Sequence, residues 1–341
     1  MCKSMKSFLR FKTQRIGRSL AMLVAAGTML PVAGSGPALA EYPERQVTIV
    51  VPYGPGGATS NFGQMLADNL ARMWGQPVIV ENRPGAGSSI GSAYVAQAAP
   101  DGYTILLASD AAFVTNEFVF KDLGFDPRGD LKPVSRLANV NYALLASSRI
   151  GITDFKTFID TMRKKGAEYN YGSVGGGDAS RLGMETLKQE AKLGGIVEIP
   201  YTGMANAVQG LVSGDHDILM VSVRTSQPHI DSGAAVPLVI SGASRAPNLP
   251  NVPTFEEEGY PQIHVGFFLG AAVPSGTDAA IVQKIASSMA EVLKDAEVQK
   301  TYANQLGYEL VGSTPDAFGA FLAAERERVA KLVETLGIEK Q

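Results

Sequence analysis

After residue 40 the chain alternates short β-branched runs with stretches whose apolar residues recur every three or four positions. Val47-Thr48-Ile49-Val50-Val51 reads as a buried strand. A Pro/Gly loop over 52–60 follows, and then Phe62, Leu66, Leu70 and Met73 at helical spacing, with Trp74 placed to pack at the helix end. Val78-Ile79-Val80 predicts a second strand, residues 88–98 a helix of small residues, and 103–107 a third strand. Beyond these, Phe155, Phe158, Ile159 and Met162 mark a helix, 169–173 a strand that enters a Gly-rich loop, and 182–192 a helix. Strands over 196–200, 218–223 and 236–241 flank a helix over 205–212. A long apolar run over 265–273 precedes three helical stretches, the last with Phe318, Phe321, Leu322 and Leu332 on one face. Strand, loop, helix and strand in that order predict mainly parallel sheet covered by helices.

The length of 341 residues accommodates two domains. No Pro/Ser linker separates them, so the chain is expected to cross between lobes along strands, near 139–142 and near 263–266. That gives one lobe from 41–141 and 263–341, and a second from 142–262.

The first 40 residues stand apart. Lys3, Lys6, Arg10, Lys12, Arg15 and Arg18 precede an apolar stretch over 20–32, and Ala38-Leu39-Ala40 has the small-x-small form of a signal-peptidase site. The stretch is interrupted by Gly27 and Pro31 and is shorter than the roughly 20 residues a membrane span requires. Export to the periplasm with cleavage after about Ala40 is the expectation. It would take the formal net charge from −3 to −9 and remove Cys2, the only cysteine. An acidic chain without a basic cluster is unsuited to nucleic acid, and one without a thiol has neither disulfides nor thiol chemistry.

Three Gly-rich loops fall where a strand gives way to a helix: Tyr53-Gly54-Pro55-Gly56-Gly57-Ala58-Thr59-Ser60, Ser173-Val174-Gly175-Gly176-Gly177-Asp178 and Tyr201-Thr202-Gly203. Ala108-Ser109-Asp110-Ala111 ends a fourth strand. Ligands of open α/β sheets bind outside the carboxyl ends of the strands, where helix N-termini present unpaired N–H groups to anions. The first loop lacks the Gly-Lys-Ser/Thr ending of a nucleotide-binding loop. Gly87-Ser88-Ser89-Ile90-Gly91 matches the nucleophile-elbow pattern but follows loop residues 83–86 instead of a strand, so a helix start capped by Ser88 or Ser89 is the better reading. The three histidines His216, His229 and His264 lack metal-ligand spacing. Asp215-His216-Asp217 reads as a solvated turn, and Glu256-Glu257-Glu258 as a solvated helix face. No catalytic residue, metal or cofactor is assigned.

The segment Val50-Val51-Pro52-Tyr53-Gly54-Pro55-Gly56-Gly57-Ala58-Thr59 resembles the opening of the Bug family, the substrate-binding receptors of tripartite tricarboxylate transporters. Gly75-Gln76-Pro77-Val78-Ile79-Val80-Glu81-Asn82-Arg83-Pro84-Gly85-Ala86-Gly87 is similar to its most specific signature, and Pro200-Tyr201-Thr202-Gly203 and Leu249-Pro250-Asn251-Val252-Pro253-Thr254 extend the match in the same order. The resemblance implies a two-lobed, type II-like periplasmic binding protein fold, with two mainly parallel sheets flanked by helices and a ligand cleft between the lobes. It further implies a monomer without enzymatic activity that captures a small organic acid and delivers it to membrane permease subunits. Carried over by position, one lobe would contribute Tyr53, Gly57, Ala58, Thr59, Ser60, Ser109 and Asp110. The other would contribute Ser173, Gly177, Asp178, Tyr201, Gly203, Ser222 and Val223. The family usually has Asp where this chain has Ser60, which weakens the case for an amino-acid ligand. Arg181 and Arg224 could hold a second carboxylate by bidentate hydrogen bonds. A periplasmic sensor of the same fold and a secreted hydrolase using Ser89 are the alternatives.

Overall fold

The computed structural model describes residues 42–174, 178–242, 244–336 and 340; the expected export segment over 1–40 lies outside them. The strands are β1 (Val47–Val51), β2 (Val78–Asn82), β3 (Thr104–Ser109), β4 (Leu131–Ser147), β5 (Asn170–Ser173), β6 (Val197–Pro200), β7 (Ile218–Ser222), β8 (Ala235–Ile240), β9 (Gly266–Pro274) and β10 (Tyr308–Leu310). The helices are α1 (Ala58–Trp74), α2 (Ser89–Ala96), α3 (Asn116–Val119), α4 (Phe155–Lys165), α5 (Ala179–Glu190), α6 (Met204–Ser213), α7 (Val223–Asp231), α8 (Ala279–Val292), α9 (Ala296–Val298) and α10 (Pro315–Leu336).

The fold is two-lobed, with one sheet per lobe. In the first, β2, β1 and β3 are parallel, β9 runs antiparallel between β3 and β4, and β10 pairs with β4. In the second, β6, β5 and β7 are parallel, and β4 lies antiparallel to β7 and β8. Strand β4 belongs to both. It pairs with β9 as far as Asn141↔Gly266, and from Tyr142 onward with β7 and β8. The hydrogen-bonded path β2-β1-β3-β9-β4-β7-β5-β6 is therefore continuous. The expectation of mainly parallel sheets needs correcting at β4, β8, β9 and β10. Parallel pairing holds where a helix returns the chain to the same end of the sheet, and the strands that carry the chain between sheets pair antiparallel.

Each sheet is covered on both faces, which explains the near-continuous apolar runs of its central strands. Phe62, Leu66 and Leu70 of α1 meet Ile285 and Met289 of α8 on one face of the first sheet. On the other face Phe113, Phe268 and Phe318 pack together, with edge-to-face ring pairs at 5.6 and 5.8 Å. In the second sheet Phe155, Phe158 and Met162 of α4 join Met184 and Leu187 of α5, and Ala207 and Leu211 of α6 cover the opposite face. Asp154 caps α4 through the Thr157 N–H at 2.8 Å, a contact worth about 1 kcal/mol.

Trp74 closes α1 as expected, its Nε1 donating to Ser288 Oγ at 2.9 Å, whereas Met73 continues the helical spacing but is exposed. Glu256-Glu257-Glu258 forms a turn instead of a helix face. Glu257 accepts from Arg245 Nε at 2.9 Å and from the Thr254 N–H at 2.8 Å.

Gly266, where the chain re-enters the first sheet, has φ +135°. A Cβ there would collide with the Val140 carbonyl oxygen. Gly266→Ala should cost about 2–4 kcal/mol from strain and steric overlap together; a chemical-denaturation midpoint equal to wild type would contradict the register described.

Candidate functional site

The parallel strands of each sheet finish on one edge, and there the loops singled out in the sequence gather. β1 leads to Gly57 at the N-cap of α1, β6 to Gly203 at that of α6, β7 to Ser222 at that of α7, and the β5 loop to Asp178 at that of α5. β3 runs through Ser109 and Asp110 into a wide turn over Ala111–Thr115. The two edges approach each other around Tyr142, where β4 passes from sheet to sheet. Asp110 from the first lobe and Asp178 from the second both lie near enough to raise the Tyr142 hydroxyl's pKa, after the larger effect of its burial. On the opposite flank Val223 packs against Gly307, and the Arg224 charge reaches Tyr302 and Tyr308. Loops from both lobes thus face a common space.

The first-lobe half is fixed by side chains turned onto backbone. Asn82 Nδ2 donates to the Tyr53 carbonyl at 2.8 Å and to Ser60 Oγ at 3.1 Å, tying the Gly-rich loop to the end of β2. The Tyr53 hydroxyl meets Ser109 Oγ at 2.7 Å, and burial raises its pKa. Thr59 and Ser60 are buried, while Gly54 to Gly57 are exposed. No side chain caps α1, and its first turn holds no acid, so its positive end is open beside Ala58.

Sequence reasoning missed Asn82 and Asn116. The backbone from Gly85 to Ser88 has φ values of +137°, +44°, +61° and +87°, so the non-glycine residues Ala86 and Ser88 are held in a disfavoured region. Asn116 Nδ2 braces this turn by donating to the Gly87 carbonyl at 2.6 Å and to Ser88 Oγ at 3.2 Å. Ser88 occupies the N-cap of α2, but its side chain makes no cap, because the Oγ is turned toward Asn116 and Tyr53. Ser89 has an ordinary helical φ of −63° and follows this turn, not a strand, so the nucleophile-elbow match lacks the elbow. The signal for Asn82 was present in the Glu81-Asn82-Arg83-Pro84-Gly85 motif; Asn116 lay in no motif.

Asp110 carries the most perturbed carboxyl of the cluster. Burial raises its pKa from 3.8 to about 6, opposed by the hydroxyl of Thr115, which donates to Oδ2 at 3.1 Å. Asp110 also lines a groove of about 370 Å³ beside the crossing strands, with Arg136, Asn139, Asn141, Glu309 and Phe321.

In the second lobe much of the predicted chemistry is already engaged. Ser173 Oγ donates to Glu198 Oε1 at 2.6 Å, and Arg181 Nε to Glu198 Oε2 at 3.1 Å, so Arg181 is ion-paired within the protein. Asp178 caps α5 through the Ser180 N–H at 2.9 Å. Gly177, with Gly175 and Gly176, lies outside the described residues. Ser222 Oγ accepts from the Thr225 N–H at 3.4 Å, and the Val223 side chain is buried, leaving its backbone for contact. Arg224 is exposed, and among the described residues no carboxylate lies within ion-pair distance of it. Gly203 caps α6 without a side chain, in extended backbone at φ 179°.

His216 corrects the reading of a solvated turn. It is buried, with its Nδ1 3.0 Å from the Tyr201 hydroxyl, in a slot left by two glycines. A Cβ at Gly172 would stand 2.5 Å from His216 Nε2, and one at Gly210 would strike the Tyr201 hydroxyl. This strut holds the β6–α6 loop. Burial lowers the imidazole pKa from 6.5 to about 4. Between those values the unfolded chain binds the extra proton, so stability is full above pH 6.5 and is lost as pH falls toward 4, by up to about 3 kcal/mol. The drop in urea midpoint from pH 7 to 4.5 should shrink in His216→Asn; an unchanged slope would refute the assignment.

Comparison with known proteins finds a receptor family. A family model described as "Tripartite tricarboxylate transporter family receptor" matches residues 63–338. Protein BugT of Bordetella pertussis is 31% identical over 319 residues, covering 93% of this chain and 97% of its own length. The solved structure titled "Structure of periplasmic binding protein BugD" is 31% identical, with a TM-score of 0.69 over 88% of this chain and 100% of that one. A structure of an R. palustris protein with adipate is 29% identical, with a TM-score of 0.73 over 88% and 100% of the two chains.

Proposed function

Because the chain belongs to the tripartite tricarboxylate transporter family of receptors, a family of periplasmic solute-binding proteins and not of enzymes, we propose that its two lobes close on a small organic acid gripped by main-chain amides. The lobes are residues 41–141 with 263–341, and 142–262, hinged where β4 and β9 part at Asn141 and Gly266. The signal segment is removed after about Ala40, and the mature monomer delivers its guest to the permease subunits of its own transporter. The adipate held by the R. palustris relative makes a carboxylate the natural guest class.

The observation that carries this reading is the pair of uncapped helix N-termini, Gly57 on one lobe and Gly203 on the other, both without an acid in the first turn. Each offers unpaired N–H groups and partial positive charge to an anion. Tyr53, Ala58, Thr59, Ser60 and Ser109 line the first half of the grip. Ser173, Asp178, Tyr201, Ser222 and Val223 line the second, with Arg224 in reserve for a second carboxylate and Arg181 set beside Glu198. The open form offers one set of donors and the closed form both, so the guest binds the closed form more tightly and shifts the population toward it.

Calorimetry against mono-, di- and tricarboxylates should find at least one tight ligand; indifference to all of them would end the proposal. An acid placed at an N-cap would occupy the amides itself. Gly57 (φ −72°) and Gly203 (φ 179°) accept any side chain, and an added Cβ meets only the Gly54 carbonyl oxygen at 3.6 Å or open space. Gly57→Asp and Gly203→Asp should therefore fold normally and lose about tenfold or more in affinity. Unaltered binding in both variants would rule out the amide grip. Intact-mass measurement of the exported protein should give a chain beginning at Glu41.

A further inference from the structure

The common space between the lobes is not uniformly suited to anions. The charges of Asp110 and Asp178, one from each lobe, both reach Tyr142, so a guest with negative charge at both ends is repelled there. Asp178 is engaged in capping α5, where Ser180 donates to it through both N–H and hydroxyl. Asp110 is differently placed. It takes hydroxyl hydrogen bonds from Thr115 and Ser109, but among the described residues no Lys, Arg or His lies within ion-pair distance of it.

Several elements face Asp110. Tyr53, from the loop after β1, and Tyr142, on β4, are phenols whose burial keeps them neutral. Arg328 of α10 is nearby, but its guanidinium forks onto Glu325 at 2.8 and 3.1 Å, so the pair brings little net charge. Across the groove, Arg136 of β4 is stacked over the Phe321 ring at 4.0 Å, Glu309 of β10 accepts from Asn139, and His264 and Glu256 line the far side. A half-buried carboxylate without a counter-ion is costly. It is relieved by a proton or by a donor brought by the guest.

We propose that Asp110 reserves its end of the cleft for a hydrogen-bond donor, so that the guest is a carboxylic acid bearing a hydroxyl or ammonium group and not a plain dicarboxylate. This rests on the carboxylate-receptor reading and narrows it. Burial, which raises the Asp110 pKa to about 6, acts in the same direction. The two acceptable donors differ in charge but satisfy the same carboxylate. Hydroxyl needs no counter-charge, and ammonium gains more from the ionised form.

The test is calorimetry on the wild-type chain with matched acids: succinate, malate and aspartate, then the five- and six-carbon equivalents, and benzoate against hydroxybenzoate. At pH 8 the donor-bearing members should bind about tenfold to a hundredfold more tightly than the donor-free one, the range expected of a hydrogen bond to a charged group. Asp110→Asn should reduce that ratio to about threefold or less. Lowering the pH from 8 to 5.5 should tighten donor-free acids in wild type more than in Asp110→Asn, which supplies the ligand's own titration as the baseline. Equal or tighter binding of donor-free acids by wild type overturns the proposal and leaves the carboxylate receptor standing. So does a ratio that survives Asp110→Asn. Failure of every acid to bind overturns both. Should Asp110→Asn not fold, as judged by its melting curve, the wild-type ratio decides alone.

Discussion

The architecture depends on one strand serving two sheets. β4 spends its first part hydrogen-bonded to β9 and β10 and its last six residues bonded to β7 and β8, with the exchange of partners between Asn141 and Tyr142. A backbone donor or acceptor buried without a partner is costly, so the point of exchange is fixed by the ladders on either side. Irregular register near Pro133, Arg136 and Leu144 bends the strand without interrupting it. Everything that makes a site follows from this. The two sheets are set edge to edge, their carboxyl-end loops face one another, and Tyr142 stands where they meet.

The cleft combines opposite electrostatic characters. Uncapped N-termini at Gly57 and Gly203 favour an anion, whereas Asp110, with no basic side chain within ion-pair distance among the described residues, disfavours one. Much of the remaining polarity is already spent inside the protein. Arg181 and Ser173 are held by Glu198, Tyr201 by His216, and Ser222 by Thr225. What remains for a guest is mostly backbone, whose donors are fixed in direction by secondary structure and do not need to be ordered on binding.

The sequence made the layered α/β character legible through β-branched runs alternating with helical periodicity, and it located the loops because Gly and Pro mark the strand ends. It could not show that β4 runs unbroken from Leu131 to Ser147, since this strand contains Pro133, Arg136 and Asn139 and lacks a clean alternation. The three-residue β10 carries too little pattern to be noticed. His216 reads as solvated between two aspartates; its burial depends on the absence of side chains at Gly172 and Gly210, one before it on β5 and the other on α6. Tertiary packing decides such cases. The same holds for Arg181 of α5, whose partner Glu198 sits on β6, the next strand along the chain, and is invisible to local spacing.

The pairing of β9 with β3 and β4 has a consequence for the order in which the molecule can assemble. Leu106 pairs with Val50 on one side, but its other side waits for Ala272, and Leu131 waits for Pro274. The early strands of the first sheet therefore cannot complete their ladder until the chain has been made as far as Pro274. Such distant closures are slow to form. A nascent chain that stays open for that long remains threadable, which is what passage through a translocation pore demands.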